Sequence, residues 1–259
     1  MQTDVVQRWR GGRDSYRPVR EVIDVRDFEV AAIPEDRVAK AFVLEHHYSG
    51  SYPAARFRYG LYDGPELVGV AVFSVPSNYR TFAVLPGDPP ENTELGRFVL
   101  LDEVGANAES WFIARCFERL RTEGIVGVVS FSDPVERTRA DGTKVFGGHI
   151  GYIYQATNGV YVGRSQGRRH RLLPDGTILH PRAISKVRKL DRGWKHVVER
   201  LISLGAPQYR DGPEWIEEAL AATVRPLRHS GNHKYVWALK KRDRRHLPTS
   251  LPYPKVLAA

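Results

Sequence analysis

Apolar and polar positions change period several times along this chain, and each change marks an element. Residues 29–33 read as a short strand, and Pro34-Glu35-Asp36 then opens a helix. Val38, Ala41, Phe42 and Leu44 give that helix a stripe for burial on its way to His46-His47-Tyr48. Residues 56–62 and 66–75 alternate as strands around the Asp63-Gly64-Pro65 turn, an antiparallel hairpin. A Pro-rich loop at 86–92 precedes a strand at 94–101. Asn107 stands as the cap of a helix over 109–121 that stops at Gly124. Residues 125–131 are continuously apolar, as in the centre of a sheet, and end in Ser132-Asp133-Pro134. A short helix is expected within 148–157, with Ile150 and Tyr154 one turn apart, and a strand over 160–163.

Residues 164–228 read as an insertion, with a small hairpin at 173–178 and a basic amphipathic helix over 184–204. Val187, Leu190, Trp194, Val198 and Leu201 would form its apolar side. Residues 233–239 alternate again and supply a closing strand, and the chain after Arg244 is a Pro-rich tail. The fold class is therefore α/β (α+β), a mixed central sheet flanked by helices, with a basic insertion before the last strand. Its order of elements resembles that of the N-acetyltransferases of the GNAT superfamily. The expected organisation is an arm at 1–20, a core at 21–163, the insertion at 164–228, the last core strand at 229–242 and the tail at 243–259.

Composition adds constraints. With 259 residues and 42% hydrophobic side chains the chain can bury a full core. Cys116 is the one cysteine, which excludes an internal disulfide and a cysteine-rich zinc site. No stretch approaches the roughly 18 apolar residues of a membrane span, and the first residues do not read as a signal peptide, so a cytoplasmic protein with no membrane partner is expected. The formal charge of +9 is uneven. Residues 1–20 carry five Arg and two Asp, whereas residues 21–163 carry 13 basic and 20 acidic side chains. Residues 164–200 carry 11 basic and three acidic, and residues 225–246 eight basic and one acidic. Such clustering suits phosphate neutralisation and points to nucleic acid as partner, with Arg168, Arg169, Arg171, Lys186, Arg188 and Lys189 as contacts.

Four motifs carry a family resemblance: His46-His47-Tyr48-Ser49-Gly50, Glu94-Leu95-Gly96-Arg97-Phe98, Phe131-Ser132-Asp133-Pro134, and the run from Gly148 to Asn158. In this order they resemble the Mom DNA-modification proteins of bacteriophages, over about residues 38–240. The resemblance implies an acetyltransferase-like fold with an altered cofactor region. It also implies double-stranded DNA as the partner, and conversion of its adenine to an N6-carbamoylmethyl derivative that hides the DNA from host restriction enzymes.

That chemistry makes demands of its own. The exocyclic amine of adenine is a poor nucleophile, and in a duplex the base must be extruded to be reached. Aromatic surfaces, hydrogen-bonding groups and a base or metal are needed. His47, Tyr48, Ser132, Asp133, His149 and Tyr152 are the candidates for catalysis, and Ser49, Arg97, Tyr154, Gln155 and Asn158 for substrate binding. His47, Asp133 and His149 would make an iron-type facial set if they converge. Structural roles stand beside these. A His-Tyr pair can close a helix, Asp133-Pro134 can be a turn, Tyr152 and Tyr154 can be core, and Glu94 with Arg97 can be an ion pair.

In the GNAT superfamily a Gly-rich turn opens the helix after the fourth strand, and its amides cradle the CoA diphosphate. Residues 102–110 here hold one glycine, no basic residue and three carboxylates, so CoA is not expected there. Acetyl-CoA also carries no amide nitrogen, which leaves the donor of a carbamoylmethyl group open. Competing readings are a small-molecule or protein acetyltransferase and a DNA-binding module or nuclease. The second draws on the likeness of residues 228–233 to an HNH motif. A third is an N6-adenine methyltransferase, on Ser132-Asp133-Pro134 alone.

Overall fold

The computed structural model describes residues 5–11, 13–18 and 21–255. Parts of the expected arm and tail, residues 1–4, 12, 19–20 and 256–259, lie outside it. Two compact units make up the chain. The first comprises Met1–Pro134, His149–Ser165 and Asn232–Ala259, and the second Val135–Gly148 and Gln166–Gly231. Residues 135–148, read from the sequence as core, thus fall with the insertion.

The first unit opens with a hairpin, β1 (Val5–Arg10) and β2 (Arg13–Pro18). Its main sheet has seven strands. Four follow in antiparallel succession: β3 (Phe28–Ala32), β4 (Ala55–Asp63), β5 (Glu66–Ser74) and β6 (Asn92–Leu100). Then β7 (Gly127–Ser132) lies parallel to β6. Beyond it come β14 (His233–Ala238) and, at the edge, β10 (Val160–Arg164), both antiparallel to their neighbours. Helix α1 (Asp36–His46) covers one face, where Ala39 and Val43 meet Ile33, Val70, Val72 and Val99. Helix α2 (Ala108–Thr122) covers the other, where Phe112, Ile113, Cys116 and Leu120 pack with Leu61, Ala71, Phe73 and Leu100. Alternation along β5 explains the division, since Val70 and Val72 point one way and Ala71 and Phe73 the other.

The α1 stripe is shifted from the expected one. Ala39, Phe42, Val43 and His46 are turned inward, at helical spacing, while Val38, Ala41 and Leu44 are exposed. The helix carries apolar residues on more than one side, so the pattern allowed two stripes and packing chose one. Asn107 does precede α2, yet its side chain makes no capping bond; its Nδ2 donates to the Glu21 carbonyl at 2.5 Å. The short helix α3 covers Tyr152–Ala156, which leaves Ile150 in the preceding loop.

The second unit holds a three-stranded sheet, β12-β11-β13, and three helices, together with a two-stranded pair, β8 (Arg137–Thr138) and β9 (Lys144–Phe146). Strand β11 (Arg168–Leu172) forms the expected hairpin with β12 (Ile178–Leu179) and also pairs with β13 (Arg225–His229), which the sequence reading missed. The single helix expected over 184–204 is two, α4 (Pro181–Lys189) and α5 (Trp194–Ser203). Leu190 and Gly193 adopt left-handed φ of 53° and 86°, which ends one helix and starts the next. Leu190 is consequently 58% exposed rather than buried. Helix α6 (Glu214–Thr223) completes a core around Trp215, Leu173 and Leu201.

Within the first unit His233 is almost fully buried, with Nδ1 2.8 Å from the Tyr161 hydroxyl. Burial, with Arg164 nearby, pushes its pKa from 6.5 down to about 4. A depressed imidazole pKa means that the unfolded chain takes up the proton first as pH falls. The stability held by neutral His233 is therefore complete above pH 6.5 and is lost as pH falls toward 4. On the order of 3 kcal/mol is at stake, at 1.36 kcal/mol for each pH unit. Urea unfolding of the wild type and of His233→Gln at pH 7 and pH 4 reads this difference: the wild type should lose more stability on acidification. Equal losses would contradict it.

Candidate active site

The one parallel pairing in the main sheet sets the position of the site. It runs from Asn92 opposite Gly127 to Leu95 opposite Ser130 and goes no further. Past that point β6 keeps its bonds to β5, and β7 keeps its bonds to β14. Gly96 sits in the bulge where the register of β6 shifts, and a Cβ there would stand 2.5 Å from the Ser74 hydroxyl. The two strand ends thus part, and residues from both are freed for other contacts.

Helix α1 ends beside this region. His47 has extended backbone, φ −107° and ψ 131°, and its amide closes the helix on the Val43 carbonyl at 3.0 Å. The side chain is buried, with Nδ1 accepting from the Ser49 amide at 3.1 Å and lying 2.9 Å from the Ser49 hydroxyl. An accepting Nδ1 leaves the proton of the neutral ring on Nε2. The imidazole stacks on Tyr48, ring centroids 4.3 Å apart. Tyr48 in turn meets His149 edge-on, with its hydroxyl 3.4 Å from Nε2. Trp9 of β1 packs edge-to-face against Tyr48 at 6.2 Å.

His149 is brought here by the end of β7, because its amide donates to the Asp133 carbonyl at 2.7 Å. His47, Tyr48, Asp133 and His149 are thus tied together across about 100 residues of chain by a stacking, an edge contact and a backbone bond. Ser132, just before Asp133, is fully buried and its hydroxyl has no hydrogen-bond partner; the buried hydroxyl of Tyr152 has none either. Buried hydroxyls in folded proteins are seldom left unpaired. Among the described residues no three His, Cys, Asp or Glu side chains are grouped to hold a metal ion, so His47, Asp133 and His149 do not form the facial set expected.

Other candidates have different surroundings. Arg97 donates from Nε to the Ser51 carbonyl at 2.8 Å, from Nη2 to the Ser51 hydroxyl at 2.7 Å, and from Nη1 to the Gly96 carbonyl. Burial lowers its pKa, an effect opposed by Tyr48, Glu94 and Tyr154 nearby. No ion pair joins it to Glu94, whose own pKa burial raises. Arg97 instead straps the loop after Tyr48 to β6. Tyr154 is buried against Tyr235 and Trp237, a core residue. Gln155 Nε2 donates to the Tyr235 hydroxyl at 3.1 Å. Asn158, with φ 56°, closes the turn after α3 and is exposed.

In the second unit, alternation along β11 and β13 turns Arg169, Arg171 and Arg228 to one exposed face. Arg169 lies directly opposite Arg228. Arg168 is exposed on the other face, Lys189 is exposed and Lys186 half-buried on α4. Arg188 is committed to Glu217 at 2.5 Å. Arg228 belongs to the basic segment 225–246 but is not among the expected DNA contacts, since no strand is expected over residues 225–229.

Several solved acetyltransferase structures are distantly similar to this chain. The IAA acetyltransferase from Bacillus cereus shares 10% identity, covering 82% of this chain and 99% of its own, with a TM-score of 0.38. The spermidine N-acetyltransferase from Vibrio cholerae shares 10%, covering 85% and 98%, with a TM-score of 0.39. A Bacillus subtilis acetyltransferase in complex with CoA shares 8%, covering 82% and 97%, with a TM-score of 0.35. No curated protein matches the chain. The Mom protein family, in contrast, matches residues 27–255, nearly the whole length, and all four motifs that shape the region around Tyr48 lie within the match. This chain belongs to the Mom protein family.

Proposed function

We propose that this protein is a DNA-modifying transferase that replaces one N6 hydrogen of adenine by a carbamoylmethyl group. The observation that carries the reading is the gathering of Tyr48 and His149 beside the end of β7, where the buried hydroxyl of Ser132 lacks a partner. Family membership supplies the substrate class. As the new N–C bond forms, the bond from the carbamoylmethyl carbon to its donor breaks, the donor fragment leaves with the electron pair, and the N6 amine loses a proton, so a base has to stand close to it. His149 and Asp133 are our candidates for that base, and the Tyr48 hydroxyl, 3.4 Å from His149 Nε2, can relay or orient. An extruded adenine presents a hydrogen-bonding edge, for which the unpartnered hydroxyl of Ser132 at the end of β7 is a candidate. Arg97, through Ser51, holds the segment that carries Tyr48 and acts as a positioning residue.

DNA would be engaged through the arginine face of β11 and β13. Like charges directly opposite on a sheet repel, and no ion pair relieves Arg169, Arg171 or Arg228 among the described residues. A phosphate backbone would convert that repulsion into binding.

Two outcomes are expected. Mass spectrometry of nucleosides from DNA of cells expressing the protein should show deoxyadenosine carrying one carbamoylmethyl group. Tyr48→Phe and Asp133→Ala should each lower its yield by about 100-fold or more, with folding and DNA affinity retained. An unmodified nucleoside profile with wild-type protein would overturn the reading. In a binding titration over a salt series, Arg169→Ala with Arg228→Ala should reduce the slope of log affinity against log salt by about two. An unchanged slope would place the DNA elsewhere.

A further inference from the structure

The start of α2 is where an acyltransferase of this fold would seat the diphosphate of CoA, and here it is already filled. Glu21 accepts from the Ala106 amide at 2.8 Å, and its own carbonyl accepts from Asn107. Arg17 grips the Glu21 carboxylate, through Nε at 2.8 Å and again through Nη2, and also donates to the Asp102 carbonyl. Arg17 and the Ala106 amide hold the Glu21 pKa below the ordinary carboxylate range, so the group is charged. Arg8 of β1 lies buried against Glu109, with Nε 2.7 Å from the carboxylate, and donates to the Leu101 and Val104 carbonyls at 2.5 and 3.1 Å. Ser15 of β2 bonds Asp102 at 2.9 Å. Ile23 packs so closely on Gly105 that a Cβ there would meet it at 2.5 Å.

We propose that the N-terminal arm is a built-in replacement for a bound cofactor anion. The Glu21 carboxylate occupies the anion seat of α2, and the β1–β2 hairpin locks it there. A helix N-terminus favours one negative group; this one has it from its own chain. Of the cations at this helix start, Arg8 and Arg17 are committed to carboxylates and carbonyls, and Arg10 lies 3.5 Å from the Asp102 carboxylate. Asp102 and Glu109 would meet any second anion. CoA does not fit, and the donor of the transferred group is not anchored by a diphosphate at this helix. The same hairpin carries Trp9 to the Tyr48 ring, so closing the anion seat also builds one wall of the candidate active site.

The test uses the full chain, with CoA and inorganic pyrophosphate as probes in calorimetry and thermal unfolding. Wild-type protein should show neither heat nor a shift in Tm with either at millimolar concentration. In Glu21→Ala the Ala106 amide and Arg17 are released together, so pyrophosphate should raise Tm saturably, by several degrees, and Arg17→Ala in that background should abolish the rise. Glu21→Asn, which loses the charge and is too short to keep the Ala106 amide, provides the same comparison should the alanine variant fail to fold. Saturable CoA binding to wild-type protein, with slowed amide exchange over residues 104–108, would overturn the proposal. So would a folded Glu21 variant that ignores pyrophosphate.

Discussion

The parting of β6 and β7 is the constraint on which the rest of the first unit depends. Parallel strands joined through a helix must both run toward the same sheet edge, so the ends of β6 and β7 deliver their last residues to one region. Had the pairing continued past Leu95 and Ser130, backbone bonds would have sealed that region. The bulge at Gly96 and the antiparallel arrival of β14 on the far side of β7 let each strand satisfy its backbone with an outer neighbour instead. The space so opened is lined by groups from α1, from the end of β7 and from the loop before α3. Backbone bonds hold His47 and His149 there, and the Arg97 side chain, through Ser51, holds the segment that carries Tyr48.

Charge alone would have misassigned the arm. Its five arginines suggest a strand for DNA, yet Arg8 and Arg17 are directed at the acidic stretch 102–109, which had looked merely hostile to CoA. The two oddities of sequence answer each other across some 90 residues. Among the described residues, Arg169, Arg171 and Arg228 on a small sheet in the second unit are in no ion pair. A net charge of +9 therefore says little until the pairs are subtracted.

Most of the sheet was legible because its strands alternate or run continuously apolar, patterns with a direct physical cause. The hairpin at Asp63-Gly64-Pro65, the central strand ending at Ser132 and the closing strand from His233 were all readable. The helix break at Leu190 was not, since a non-glycine residue in a left-handed conformation leaves no mark in a hydrophobic pattern. The His47-Tyr48 and His149 motifs could be found as words, but their meeting depends on the Asp133 carbonyl taking the His149 amide, a bond between backbone groups that every residue has. For the same reason Glu21 and Trp9 carried no signal: their roles come from what the fold sets opposite them.

The position of β14 has a consequence for how the chain assembles. It lies between β7 and β10, and β10 has no other strand beside it in the sheet. Between β10 and β14 in the chain stands nearly all of the second unit, residues 166–231. During synthesis the edge of the main sheet must therefore wait, with β10 unpaired, until some 70 further residues have been made. The entropy of closing so long a connection grows only slowly with its length. A second unit that folds first would bring its two ends together through the β11–β13 pairing and shorten the search that β14 must make.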